Sequence, residues 1–226
     1  MGKIDVTLNG TPVSGSEGMT ILELARENGI DIPTLCYMDE LTPTGSCRIC
    51  VVEVTGARTL VASCHTPIQP NMDIHTHSPK VLEARRMILE LLFVGHAGSC
   101  LMCDKANVCE LRSIATDLEV GIPRTSGEKR YYNIESENPY IVRDLTKCIL
   151  CRRCVRVCRE IKKAGILGIG NRGFDSKVVA GLDQELDTSV CETCNLCVEA
   201  CPVGALTRRE ERFGAKEKKK SLVVTG

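Results

Sequence analysis

The chain has 226 residues, 43% of them apolar but only 3% aromatic, with no Trp. That length accommodates one large domain or about two to three small ones, and a core so poor in rings must draw on something else for its cohesion; fifteen cysteines are the obvious resource. Lys+Arg and Asp+Glu are equal at 29 each, which excludes the basic footprint of a nucleic-acid binder, and no apolar run has the length of a membrane span.

The start, Met1-Gly2-Lys3-Ile4-Asp5-Val6, lacks the apolar region of a signal peptide, and Val6 breaks the myristoylation pattern, so a cytoplasmic location is expected. In that reducing compartment cysteines point to metal or redox chemistry rather than to disulfides. Ile4, Val6 and Leu8 then alternate with polar residues, which is strand periodicity. Asn9-Gly10 is a hairpin turn, and Val13 begins the return strand. Thr20 and Glu23 form a capping box for a short helix over 21–27, closed by Asn28-Gly29. Cys36, Cys47, Cys50 and Cys64 follow, with strands at Val51 to Val54 and Leu60 to Ala62. This order predicts a β-grasp ferredoxin layout for residues 1–78.

Residues 79–145 read as a small helical domain. Ser78-Pro79 opens a helix with an apolar face of Val81, Leu82, Met87, Ile88, Leu91 and Leu92, and Gly95 ends it. His96, Cys100, Cys103 and Cys109 come next, then a second helix near Val108 to Leu118. Gly121 to Tyr140 is rich in Gly, Pro, Ser and charge, as a linker or surface loop is. Residues 146–207 hold an internal repeat: Cys148-x2-Cys151-x2-Cys154-x3-Cys158 recurs as Cys191-x2-Cys194-x2-Cys197-x3-Cys201, with Pro202 after the second copy. Residues 208–226 read as a polar tail, and its Lys216 to Lys220 run as solvated charge. The predicted class is α+β.

The repeat carries the most specific chemistry. Its spacing, closed by Pro, is the two-cluster bacterial ferredoxin pattern, in which the fourth ligand of each cluster comes from the other copy. Cys148, Cys151, Cys154 and Cys201 are therefore assigned to one [4Fe–4S] cluster, and Cys191, Cys194, Cys197 and Cys158 to another. Zinc, which paired C-x2-C units also bind, would leave one cysteine of each triplet idle. In the first block, Cys36-x10-Cys47-x2-Cys50-x13-Cys64 is a four-thiolate site whose β-grasp setting favours [2Fe–2S], with zinc as the alternative. In the second block three cysteines need a fourth donor. Neutral imidazole ligates iron, so His96 is the candidate, with Asp104 an awkwardly placed rival beside Cys103. These assignments use every cysteine: fifteen thiolates and one imidazole make four sets of four.

The remaining features have plainer readings. His65 follows Cys64 and is a candidate to tune it by a hydrogen bond. His75 and His77 alternate and belong on an exposed strand face. Arg152, Arg153, Arg156 and Arg159 are solvated charge, or donors near cluster sulfurs, or anchors for a partner.

The three blocks in this order resemble the N-terminal region of the large iron–sulfur subunit of respiratory complex I and that of [FeFe]-hydrogenases, and are most similar in length to the small diaphorase subunit of NAD(P)-linked and electron-bifurcating hydrogenases. The resemblance covers about residues 3–206 and rests on Ile32-Pro33-Thr34-Leu35-Cys36, Gly45-Ser46-Cys47-Arg48-Ile49-Cys50, Lys147-Cys148-Ile149-Leu150-Cys151 and Cys201-Pro202-Val203-Gly204-Ala205-Leu206. It implies one [2Fe–2S] cluster in the first block, a [4Fe–4S] cluster ligated by His96 in the second, and three [4Fe–4S] clusters in all. It further implies an electron relay between a flavin- and NAD(P)H-binding iron–sulfur subunit and a hydrogenase-type catalytic subunit, with free ferredoxin a further candidate partner. A relay for a formate dehydrogenase or a complex-I-like dehydrogenase is the alternative within the class, and a metal-stapled interaction protein the alternative outside it. With no dinucleotide fingerprint and no cysteine to spare, catalysis is expected on other polypeptides.

Overall fold

The computed structural model describes residues 2–96, 100–186, 188 and 191–213. Strands β1 (Lys3–Leu8) and β2 (Thr11–Ser16) form the predicted hairpin. Asn9 and Gly10 both take positive φ, 52° and 83°, as a two-residue turn matched to the strand twist requires. Helix α1 (Ile21–Glu27) begins with the predicted capping box: Thr20 Oγ1 accepts from Glu23 N, and the Glu23 carboxylate accepts from Thr20 N at 2.7 Å. Strands β3 (Val51–Val54), β4 (Val61–Ala62) and β5 (Asp73–His75) complete a sheet of order β2-β1-β5-β3-β4. Only β1 and β5 pair in parallel. With Ile21, Leu22, Leu24 and Ala25 of α1 packed against Val6, Leu8, Val52 and Ile74, this is the β-grasp arrangement.

Helix α2 (Pro79–Gly95) starts where expected, with Ser78 Oγ accepting from Val81 N and donating to Glu53 Oε2 at 2.6 Å. That bond ties the helix start to β3. Helix α3 (Glu110–Asp117) is slightly shorter than the sequence predicts. Beyond it, β6 (Ile141–Arg143) pairs with β9 (Leu206–Arg208), and β7 (Leu167–Gly170) with β8 (Lys177–Ala180), both antiparallel. Strand β6 lies in the stretch read as the end of the helical segment. All three of its residues are buried, so it shows no alternation and carries no strand signal. Short helices α4 (Arg153–Arg156) and α5 (Leu196–Glu199) each follow a cysteine loop, and α6 (Arg209–Phe213) follows β9. The Lys216 to Lys220 run lies outside the described residues.

The three sequence blocks share a core. Leu35 and Ile49 from the first, Leu89, Leu111 and Ile114 from the second, and Ile149, Val203 and Ala205 from the third pack into one buried cluster. Each fully buried Leu or Ile contributes about 1.5–3 kcal/mol relative to exposure, so the segments are held against one another by the same force that holds each one together. Candidate ligands Cys36, Cys47, Cys109, Cys148, Cys151 and Cys201 sit in or against this cluster.

Candidate functional site

The repeat folds into two matching loops. In Cys148–Cys154, Leu150 and Arg152 take φ of 56° and 64°; in Cys191–Cys197, Thr193 and Asn195 take 54° and 61°. Left-handed conformations cost non-glycine residues about 1–3 kcal/mol and persist where function demands them. Here they turn backbone N–H groups toward the sulfurs. Leu150 N donates to Cys148 Sγ at 3.4 Å, and Thr193 N to Cys191 Sγ at 3.3 Å. Such nests of backbone N–H groups favour anionic ligands.

The loops enclose two cavities. One is lined by Cys148, Cys151, Cys154 and Cys201, together with Ile149, Leu145, Val178, Val203 and Leu206. The other is lined by Cys158, Cys191, Cys194 and Cys197, with Ile141, Ile166, Leu167, Leu186 and Leu196. The crossed membership, three cysteines from one copy and one from the other, is the one the spacing predicts. Burial pushes the Cys148 thiol up to about 11 and Cys197 up to about 12, and raises Cys151 and Cys154 as well. In a pocket this apolar the sulfurs stay protonated unless a cation replaces the proton, as iron does when it takes thiolate ligands.

The four cysteines of the first block converge under the β-grasp sheet, all of them buried. Cys50 and Cys64 are 3.4 Å apart at sulfur. Hydrogen bonds from Cys47 and Cys64 hold the Cys36 thiol far below its usual value, and the same bonds push Cys47 and Cys64 up. A hydrogen bond from Cys64 also lowers Cys50, to about 6. Arg48, between Cys47 and Cys50, has φ of 61°, a third left-handed turn within a cysteine loop.

In the second block, His96 caps α2 and is buried. Its Nδ1 lies 2.9 Å from Lys147 O. A carbonyl only accepts, so Nδ1 carries the proton and Nε2 keeps its lone pair, the tautomer a metal ligand needs. Burial lowers the His96 pKa, which keeps the ring neutral. Burial raises the Cys109 thiol, and Cys103 and Cys100 add to the rise. The third block closes this corner: a Cβ on Gly204 would stand 2.8 Å from Cys103 Sγ and 3.5 Å from Lys147 Cδ. Lys105 Nζ donates to Val198 O and Cys201 O, and Glu110 N to Pro202 O. Asp104, the rival donor, faces Arg212 Nε at 3.8 Å.

Several sequence expectations resolve differently. His65 is exposed and its ring makes no hydrogen bond to Cys64 among the described residues. Strand β5 ends at His75, which turns to Asp73 Oδ2 at 3.2 Å, while His77 Nδ1 pairs with Thr76 Oγ1 at 2.6 Å. Arg152 and Arg159 are solvent-facing, but Arg153 and Arg156 are buried and anchor other parts of this chain. Arg153 Nη1 meets Glu110 Oε1 at 2.7 Å; Arg156 donates to Thr42 O at 2.6 Å and to Cys36 O. Sequence reading missed Lys147, Gly204 and Arg85. For Arg85 a signal existed: it stands four residues from both Val81 and Leu89, a charge inside the apolar stripe of α2. An open cleft lined by Lys129, Arg130, Tyr132, Arg172 and Phe174 among others includes no candidate ligand.

Buried cysteines in the β-grasp block and two cavities lined by the cysteines of a doubled motif fit an iron–sulfur protein of the ferredoxin class. Comparison with known proteins agrees. Residues 2–79 match a 2Fe-2S iron-sulfur cluster binding domain, residues 85–124 the NADH-ubiquinone oxidoreductase-G iron-sulfur binding region, and residues 138–207 the ferredoxin-like domain of NADH-quinone oxidoreductase subunit 3. The chain is 42% identical over 93% of its length to the NADP-reducing hydrogenase subunit HndD of Solidesulfovibrio fructosivorans, and 34% identical over 95% to the mitochondrial NADH-ubiquinone oxidoreductase 78 kDa subunit of Neurospora crassa. It spans 37% and 29% of those two relatives. A chain in the crystal structure of an NAD+-reducing [NiFe]-hydrogenase in the H2-reduced state superposes with a TM-score of 0.82 at 30% identity, covering 94% of this chain and 90% of that one. The protein belongs to the family of iron–sulfur subunits of NAD(P)-linked hydrogenases, which is related to the large iron–sulfur subunit of complex I.

Proposed function

We propose that the chain is an electron relay carrying one [2Fe–2S] cluster on Cys36, Cys47, Cys50 and Cys64, and three [4Fe–4S] clusters. The three are held by His96 with Cys100, Cys103 and Cys109; by Cys148, Cys151 and Cys154 with Cys201; and by Cys191, Cys194 and Cys197 with Cys158. The observation that carries the reading is the pair of cavities, each lined by four cysteines drawn three-to-one from the two copies of the repeat. Bound clusters supply one-electron redox chemistry at potentials the protein sets through charge, burial and hydrogen bonds to sulfur.

The chain's own groups do the rest. Left-handed turns hold N–H donors at Cys148 and Cys191. Lys147 O orients His96 so that Nε2 is free to ligate. The shared core fixes the separation of the sites and keeps water from the inner ones. The donor in this reading is a flavin- and NAD(P)H-binding iron–sulfur subunit, and the acceptor a hydrogenase-type catalytic subunit. The similarity to a subunit of NADH-ubiquinone oxidoreductase favours a second reading, the same relay in a dehydrogenase of that kind.

Anaerobic iron and sulfide analysis, read with EPR of the dithionite-reduced chain, tests the proposal. One two-iron and three four-iron clusters give about fourteen irons per chain and both signal types. A colourless protein holding a few zinc ions makes the chain a metal-stapled interaction protein instead. Co-purification with candidate partner subunits then separates the hydrogenase from the dehydrogenase reading.

A further inference from the structure

Arg85 is an anomaly of the fold. Its side chain projects from the apolar face of α2 between Val81 and Leu89, and the residue is 1% exposed, among the most buried in the chain. A guanidinium in such a place ordinarily meets a carboxylate, because an unpaired buried charge is costly. Two of the other buried arginines show the usual solution: Arg143 pairs with Glu135 and Arg153 with Glu110, whereas Arg156 donates to Thr42 O and Cys36 O and, like Arg85, leaves its Nε unpartnered. Arg85 has no carboxylate within ion-pair distance among the described residues. Its Nη2 donates to Val51 O at 2.9 Å, and its buried Nε finds no partner.

What surrounds it identifies the missing charge. Val51 directly follows Cys50, itself 1% exposed, so the guanidinium is pinned to the backbone of a candidate ligand of the first block. Burial lowers the Arg85 pKa to about 10, which still leaves the guanidinium charged at neutral pH. His77, the other titratable group beside it, is itself held toward the neutral form by its burial and by Arg85.

We propose that Arg85 is a fixed counter-charge of the [2Fe–2S] cluster, a tuning residue delivered by the second block to the cluster of the first, on the Cys50 side, while Arg156 of the third block stands at the backbone of Cys36. The inference rests on the relay reading. A two-iron cluster with four thiolates is anionic when oxidised and gains one further negative charge with each electron, with no proton required. A buried cation beside it therefore favours the reduced form, and low dielectric makes the influence large. The same helix ends in His96, so one rigid element carries the counter-charge of one site and the candidate imidazole ligand of the next.

The test is an EPR-monitored dithionite titration of the full, cluster-loaded chain as wild type, Arg85→Met and Arg85→Lys. Met extends the stripe of Val81 and Leu89 without charge, whereas Lys keeps the charge and loses the planar fork. Arg85→Met is expected to shift the one-electron equilibrium of the two-iron signal at least tenfold toward the oxidised form, about 59 mV for a one-electron couple. Arg85→Lys is expected to shift it by less than half as much, and the four-iron signals to stay in place in both. Loss of the two-iron signal in Arg85→Met with its retention in Arg85→Lys also supports the proposal, since charge alone separates the two. A wild-type potential in Arg85→Met, or equal loss of signal in both variants, overturns it. A wild-type chain that carries no two-iron signal at all overturns the relay reading first, and this inference with it.

Discussion

The two copies of the repeated motif share cysteine spacing and backbone but not surroundings. Leu150 matches Thr193 and Arg152 matches Asn195 in their left-handed turns. Elsewhere the copies diverge: Arg153 corresponds to Leu196, and Arg156 to Glu199. In the first copy Cys151 and Cys154 are buried, and the two arginines tie the motif to Glu110 of the second block and to the Cys36 loop of the first. In the second copy Cys194 is exposed, and Glu199 turns outward to Arg208 at 2.9 Å. Spacing thus sets which metal group a loop can hold, and the residues between the cysteines set whether the site is a junction or a rim. Of the two, the first copy occupies the place where the sequence blocks meet.

The largest effect should come from removing a ligand on each side of this contrast. Cys154→Ser and Cys194→Ser should each lose about four irons per chain. Only the former should also loosen the shared core, with a stability loss of about 4 kcal/mol or more, read as a much larger fall in melting temperature. Equal falls would erase the distinction between junction and rim. Next in size is Gly204→Ala. The added methyl would collide with Cys103 Sγ, so one four-iron EPR signal should disappear while those of the repeat persist. Gly168→Ala, whose Cβ would meet Val179 at an ordinary 3.8 Å, should keep its full iron content.

Arg153→Met, which removes a buried cation from a half-exposed partner, should cost about 1–3 kcal/mol in chemical denaturation, the lower end reflecting solvent at Glu110. The matching change in the other copy, Leu196→Met, should cost less than about 1.5 kcal/mol. The smallest effect is expected of Glu199→Gln. Removing an exposed negative charge near the outer site should raise that cluster's midpoint potential by less than the 59 mV of a tenfold shift, and added salt should shrink the difference further. A potential that does not respond would mean that solvent already screens the rim, and one that falls would rule out Glu199 as a negative charge acting on that site.

Local signals in the sequence carried far. The Asn9-Gly10 hairpin, the Thr20 capping box, the Ser78-Pro79 start and the Gly95 end of α2 lie where short-range chemistry puts them. The crossed lining of the two cavities by Cys158 and Cys201 follows the cysteine spacing, because the two-cluster ferredoxin pattern draws each fourth cysteine from the other copy. The short strands β6 and β9 were not legible. Each has three residues, too few to show a period, and β6 is buried throughout. The arginines between the cysteines were read chiefly as solvated charge, because a composition of Arg carries no sign of what a folded neighbour will press against it.

By itself, then, the sequence determined the number and spacing of the cysteines and the local turns that present them. Tertiary structure alone decided the electrostatic setting of each site. Leu35, Leu89, Leu111 and Val203 come from distant stretches of chain and bury one another. In doing so they bring Arg85 to Val51 O beside Cys50, Gly204 to Cys103, Lys147 O to His96 and Arg153 to Glu110. Those juxtapositions depend on long-range packing, which no local pattern encodes, because the hydrophobic driving force is non-directional and selects partners only through the shape of the finished core.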